Sequence, residues 1–171
     1  MQIVTDRLCI RLAKDCDVDA VLLFRNSEFV LKYNCMHKCT RDELYQELVR
    51  EDSFVMVLNQ QVIGVIDLHE DSLRYRIASK ELSYYLDEAY TKQGYMKEAL
   101  GAIINYLFRV EKLECVSARA FVENIASHKL LLSLGMHQDG VLPKAVKGYN
   151  DIVYDDGLYS ILKEEYGYEN L

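Results

Sequence analysis

Proline and long apolar runs are what this chain has least of. One proline, Pro143, occurs in 171 residues, and no proline-, glycine- or serine-rich run divides them. That excludes a linker between domains, so residues 1–171 are read as one domain. No apolar stretch approaches the roughly 18 residues needed to cross a bilayer as a helix, and no membrane partner is expected. The opening MQIVTDRLCIRLAKDC lacks a basic segment followed by an apolar run, so export is not expected either. No internal period of about 20–50 residues and no low-complexity segment is present, which excludes a repeat architecture. The phosphate loops GxGxxG, GxxxxGKS and GxxxxGKT are missing too, against a dinucleotide enzyme or a P-loop nucleotide hydrolase. No Ser-His-Asp ordering marks a hydrolase.

Basic charge is also scarce: 20 Lys and Arg stand against 27 Asp and Glu, a net −7. No nucleic-acid partner is expected, and a cationic one such as an amine fits, although acidity also serves plain solubility. With 50% hydrophobic and 27% charged residues the composition is that of an ordinary globular protein. Cys9, Cys16, Cys35, Cys39 and Cys115 are odd in number and scattered; free thiols in a reducing cytoplasm are the expectation. Cys35, His37 and Cys39 fall within five residues, but no second paired motif completes a zinc set. No metal is expected there, and the segment reads as a helix end or loop near a substrate entrance.

The hydropathy pattern opens with a strand over Leu8 to Leu12 and a helix over Asp15 to Phe24. Thr40 and Glu43 have capping-box spacing, which starts a second helix running to about Glu51. Strands Ser53 to Leu58 and Gln61 to His69 flank a tight Asn59-Gln60 turn, and Arg76 to Leu86 is a third strand. From Gly94, apolar Met96, Ala99, Leu100, Ile103, Ile104 and Leu107 form the stripe of a helix packed on a sheet. Cys115 to Val122 reads as a strand and Ala126 to Leu134 as a helix, with Gly135 at its left-handed cap. Met136 to Leu142 and Asp151 to Lys163 close the chain as strands. The order β-α-α-β-β-β-α-β-α-β-β defines an α/β (α+β layered) domain with a mixed sheet.

A strand ending in Tyr84-Tyr85-Leu86, a short loop, and Gly94 opening the strongest helix make an anion site. The first helical N–H groups have no internal partner, and the helix dipole is positive there. A tight turn is the plain alternative. Taken together, Glu81-Leu-Ser-Tyr-Tyr-Leu86, Gln93-Gly-Tyr-Met-Lys-Glu-Ala-Leu100, Asn124-Ile-Ala-Ser127 and Leu134-Gly-Met136 resemble the GNAT acetyltransferases. The opening Thr5-Asp-Arg-Leu8 is similar to the start of the RimJ/RimL-like branch, so the resemblance runs from about residue 5 to about 162.

That resemblance implies a mostly antiparallel, twisted sheet with helices on both faces and acetyl-CoA as cosubstrate. The family's pyrophosphate loop falls on Thr91-Lys-Gln-Gly94-Tyr-Met96. Gly94 matches, whereas Thr91 and Met96 depart from the pattern, and Lys92 or Lys97 is the expected replacement for the charge missing at Thr91. The N–H groups of Gln93, Gly94, Tyr95, Met96, Lys97 and Glu98 are implied to hold the pyrophosphate. Leu86 is implied to bond the pantetheine arm and to polarise the thioester. Asn124 would bind pantetheine, with a simple N-cap as its alternative, and Ser127 would lie near the sulfur.

Acetylation requires a neutral amine. An α-amine with pKa about 7.7–8.0 is neutral in roughly one molecule in seven at pH 7, a lysine amine in about one in 2,500. Glu81 is the candidate base; strand alternation points it away from Leu86 unless a bulge intervenes, and a bulge in this strand is expected from the resemblance. Ser127 and Tyr159 are the candidate acids. His69, His128 and His137 read as ordinary polar residues. The function expected is transfer of acetyl to a primary amine, a protein N-terminus or a small molecule; an acyl-CoA-binding sensor without turnover is the alternative. The closing strands offer a surface for a homodimer.

Overall fold

The computed structural model describes residues 2–167. Its strands are β1 (Gln2–Val4), β2 (Cys9–Leu12), β3 (Ser53–Leu58), β4 (Gln61–Glu70), β5 (Ser79–Leu86), β6 (Cys115–Phe121), β7 (His137–Lys147) and β8 (Val153–Leu162). Its helices are α1 (Val18–Arg25), α2 (Glu28–Lys32), α3 (Arg41–Leu48), α4 (Tyr95–Arg109) and α5 (Ile125–Ser133). The strands form one eight-stranded sheet in the order β1-β2-β3-β4-β5-β6-β8-β7. Every pair is antiparallel except β5 with β6.

Local sequence explains most boundaries. Thr40 Oγ1 accepts from the Glu43 N–H while Glu43 returns a carboxylate to the Thr40 N–H, and α3 starts there. Asn59 and Gln60 both take positive φ, 46° and 68°, the conformation that lets a two-residue turn follow strand twist. Gly135 adopts φ 84° after α5, where a Cβ would be strained. Two elements go beyond the sequence expectation, the three-residue β1 and the five-residue α2, the latter begun by Ser27 Oγ accepting from Val30 N–H. The third expected strand starts later, at Ser79, because Arg76 lies in the left-handed region at φ 59°.

Two apolar cores cover the two sheet faces. Helices α4 and α5 lay Leu100, Ile103, Ile104 and Leu131 on one face, against Leu82, Ala118 and Tyr159. Helices α1 and α3 lay Val21, Phe24, Leu44 and Leu48 on the other, against Val55, Val65 and Tyr85. Each Val, Leu, Ile and Phe among them contributes about 1.5–3 kcal/mol by leaving water.

The expected bulge in β5 does not occur. Residues 80–86 pair with 70–64 without a break, so Glu81 and Leu86 point to opposite faces. The extra residue is instead Ile63 in β4, where the pairing shifts between Met56 with Gly64 and Val57 with Val62. Gly64 fits there because a Cβ would meet the Tyr85 carbonyl oxygen at 2.9 Å.

Candidate active site

Strands β5 and β6 run parallel and pair only from Ser79 with Cys115 to Leu82 with Ala118. Beyond Leu82 they diverge, and β5 continues through Ser83, Tyr84, Tyr85 and Leu86 with β4 as its remaining paired neighbour. The result is a notch in the sheet. A groove of about 530 Å³ starts at the N-terminus of α4, passes Leu86 and Tyr84, and is walled by Asn124 and Ser127 of α5. Phe29 and Val30 of α2 and Tyr33 just after it close its far side.

At the groove's head the backbone is built for an anion. Lys92 and Gly94 both take positive φ, 59° and 82°, a strained turn of the kind that clusters at functional sites. Among the described residues, the N–H groups of Gly94, Tyr95, Met96 and Lys97 have no acceptor, and the first helical bond is Glu98 N–H to Gly94 O at 3.0 Å. The expectation that Glu98 offers its N–H is therefore corrected: as the fourth residue past the cap it is already inside the helical ladder. Gln93 lies one residue before the cap, and its side-chain amide is tied back to the Ala89 carbonyl at 3.1 Å.

The Glu98 side chain has a different task. Its Oε1 accepts from Thr5 Oγ1 at 2.5 Å and from Arg7 N–H at 3.0 Å, and its Oε2 accepts from Arg7 Nε at 2.6 Å. Burial alone would raise this carboxyl, but the bonds from Thr5 and Arg7 hold it below the usual range. Arg7 also donates to the Gln93 carbonyl at 2.9 Å and lies 4.5 Å above the Tyr95 ring. The N-terminal segment is thus clamped onto the start of α4. Thr91 Oγ1 is used locally, donating to Glu88 O at 2.8 Å. Lys92 and Lys97 line the groove and form no ion pair among the described residues.

At the notch, Asn124 caps α5, its Oδ1 accepting from the Ser127 N–H at 3.1 Å, while its amide NH₂ stays available at the groove wall. The hydroxyls of Ser127 and Tyr84 are hydrogen-bonded to each other. Burial pushes the Tyr84 phenol up to about 12, with the Ser127 bond acting against the rise. Tyr159 does not line the groove: its ring is 2% exposed, its hydroxyl is 2.8 Å from His128 Nδ1, and it borders the separate hollow that holds Glu81. Tyr84 and His128 were missed in the sequence as partners of these hydroxyls.

Glu81 faces the opposite side, in a hollow of about 310 Å³ with Arg74 and Arg119. Burial raises its carboxyl above the ordinary value, opposed by Arg119. Cys35, His37 and Cys39 line a third hollow, of about 480 Å³, under α1 and α3. The loop carrying them is held by its backbone, Cys39 N–H donating to Asn26 Oδ1 at 3.0 Å and Arg25 donating to the His37 carbonyl. Among the described residues no three His, Cys, Asp or Glu side chains converge as metal ligands, and no helix is long and apolar enough to cross a membrane.

Unpartnered N–H groups at a helix start, a polar groove wall and a split sheet suit a diphosphate carrying a long thiol arm, and define an acetyl-CoA-dependent N-acetyltransferase. Residues 7–137 match the family model described as "Acetyltransferase (GNAT) domain", and the chain belongs to that family. It is 28% identical over 177 residues to the uncharacterized N-acetyltransferase YoaA of Bacillus subtilis, covering 93% of this chain and 95% of that protein. Among solved structures it is similar to a GNAT-family acetyltransferase of Bacillus anthracis, with TM-score 0.86, 25% identity and coverage of 96% and 99%. RimL, the ribosomal L7/L12 α-N-protein acetyltransferase solved with coenzyme A, has the same fold at TM-score 0.81, 18% identity and coverage of 94% and 96%. Acetyl-CoA is the cosubstrate.

Proposed function

We propose that the protein, acting as one domain over residues 1–171, acetylates an amine that carries a single positive charge, a peptide N-terminus. The amine enters from the sheet face opposite α4 and α5. The observation that carries this is the charge pairing on that face. Glu47 is bound by Arg25 at 2.8 Å, Asp67 by Arg50 at 3.2 Å, Asp71 by Arg74 at 2.7 Å and Asp156 by Arg119 at 2.5 Å. Glu43 is held by the N–H and hydroxyl of Thr40. Among the described residues Glu81 is the one carboxylate lining these hollows that has no hydrogen-bond or ion-pair partner.

One unpaired carboxylate matches one ammonium group. A polyamine would bring further charges with no counter-charge to meet them, and a free amino acid would bring a carboxylate that finds each guanidinium already engaged. Desolvating an unmatched charge costs several kcal/mol, so both are discriminated against. The apolar and aromatic wall of Phe29, Val30 and Tyr33 suits the first side chain of a peptide.

On this reading Gly94 to Lys97 hold the pyrophosphate, with Lys92 and Lys97 adding positive charge. The Leu86 backbone and the Asn124 amide orient the pantetheine arm. When bound, acetyl-CoA supplies an activated acetyl group and a thiol leaving group. Glu81 receives the acceptor's ammonium, and the Tyr84–Ser127 pair holds a proton beside the departing sulfur. That role falls to Tyr84 in place of Tyr159, which is locked against His128 away from the groove. Strand β7, exposed along most of its length at the sheet edge, is the surface through which two copies would pair.

Thiol release from acetyl-CoA with a peptide bearing a free N-terminus, spermidine and a free amino acid tests the proposal. The peptide is expected to exceed both by about 100-fold or more in kcat/KM. Preferred turnover of spermidine would refute the acceptor class, and tight CoA binding without turnover of any amine would favour a sensor.

A further inference from the structure

Glu81 draws an ammonium to the notch, but the nitrogen must lose a proton before it can attack. Two residues that the acetyl-transfer reading leaves unused stand at that point. Ser83 is the first residue of β5 beyond the last pairing with β6, Leu82 with Ala118, so it sits at the mouth of the notch. Its hydroxyl is 2.8 Å from Nε2 of His69. His69 lies on β4 directly opposite Glu81 in the register, and alternation along both strands puts His69, Glu81 and Ser83 on one sheet face, the acceptor side. Both His69 and Ser83 line the hollow under α1 and α3, which opens to solvent.

We infer that Ser83 and His69 form the route by which the acceptor ammonium loses its proton. Ser83 Oγ takes a proton from the nitrogen as its own proton passes to His69 Nε2, and the imidazolium so formed releases it into the open hollow. Bonds balance: one N–H and one O–H break, one O–H and one N–H form, and the amine is left neutral with its lone pair free. Glu81 stays ionised throughout as the counter-charge. The neutral imidazole must carry its proton on Nδ1 for Nε2 to accept.

The surroundings favour the neutral ring. Burial pushes the His69 imidazole below its usual range; Arg50 and Lys80 act in the same direction, against Asp67 and Asp52. Glu81 faces it from β5. In the shared hollow Arg25 and Glu47 neutralise each other, and Glu43 is held by Thr40. His37, Lys38, Tyr85 and the thiols of Cys35 and Cys39 complete its titratable lining. A base that is unprotonated at pH 7 is free to accept, and the transfer is less uphill from an α-amine of pKa about 7.7–8.0 than from a lysine amine of about 10.4.

This inference rests on the acetyl-transfer reading, and the test separates the two. The pH dependence of kcat/KM would be measured for wild type, His69→Gln, Ser83→Ala and Glu81→Gln with a peptide acceptor, together with CoA affinity as a check on folding. His69→Gln and Ser83→Ala are expected to lower kcat/KM at pH 7 by about 100-fold, and His69→Gln to move the acid limb from the imidazole's range up to the amine's own, about 7.7–8.0. Glu81→Gln is expected to raise KM and to retain the wild-type acid limb. An acid limb unmoved in His69→Gln but moved in Glu81→Gln overturns the route and makes Glu81 the base. Active wild type with near-normal Ser83→Ala overturns it as well. Wild type that binds CoA yet acetylates no amine overturns the acetyl-transfer reading, and the route with it.

Discussion

Tyr84 and Ser127, 43 residues apart in the chain, share one hydrogen bond across the gap between β5 and α5. Two hydroxyls joined by one bond leave a single O–H to spare, and both side chains line the groove. Because burial holds the Tyr84 phenol up at about 12, the pair remains protonated throughout the working pH range and can serve a thiolate as a donor.

Removing that donor should therefore matter most where the thiolate most needs a proton. A thiol has pKa about 8.5, so Tyr84→Phe is expected to lower kcat by about tenfold at pH 6 and much less at pH 9. CoA affinity should be unchanged. Parallel pH–kcat curves for variant and wild type would contradict the assignment.

Gly94 combines φ 82° with an approach of 3.4 Å from its missing Cβ position to Arg7 Nη2. Gly94→Ala would place a side chain in the left-handed region, costing about 1–2 kcal/mol, and would turn the first N–H groups of α4 away from their common point. Calorimetry should show CoA binding weakened by about tenfold or more, with a lower melting temperature. Unaltered affinity would show that these N–H groups are not the phosphate contacts.

Glu98 separates side chain from backbone. Its carboxylate anchors Thr5 and Arg7, while its N–H is occupied by Gly94 O. Glu98→Gln is expected to destabilise the fold by about 1–3 kcal/mol in denaturant titration and to leave the CoA dissociation constant within about threefold. A larger loss of affinity at full folding would mean that residue 98 touches the ligand.

Acid stability has identifiable sources. Burial would raise Asp17, but bonds from Arg11 at 2.7 and 2.8 Å and from the Lys14 N–H at 2.8 Å bring it below its ordinary value. Asp71 behaves likewise through Ser117, Arg74 and the Leu73 N–H. A carboxyl lowered in the folded state contributes stability that is complete above its unfolded pKa, about 3.9. That contribution is lost as pH falls through the lower folded value. Asp71→Asn should flatten the fall in unfolding free energy below about pH 4 while lowering stability at pH 7. An unchanged slope would remove Asp71 from the account.

How far these features were legible in the sequence depends on their range. The stripe from Met96 to Leu107 and the cap at Thr40 are local patterns, and α4 and α3 follow from them. Strand β1 has three residues and α2 five, too short for any periodicity to show. The bulge expected in β5 falls in β4 because continuous alternation through Leu82, Tyr84 and Leu86 suits the core, whereas Val62 and Val65, three residues apart, both pack under α1 and α3. The polar pairs in and around the site span 43 residues from Tyr84 to Ser127 and 91 from Arg7 to Glu98, and the pair that holds Tyr159 out of the groove spans 31 to His128. Nothing in the spacing of one chain announces such partners. The glycine at a helix start is local; which side chains meet around it is a property of the packed sheet.

The most direct test of the account is a titration of isotope-labelled protein with CoA, following each backbone amide resonance. The account predicts saturable binding of one CoA per chain, with the largest shifts at Gly94 to Lys97 and at the α5 start around Asn124 and Ser127. Saturable binding that leaves the Gly94 to Lys97 amides unmoved, or no binding by folded protein, would contradict it.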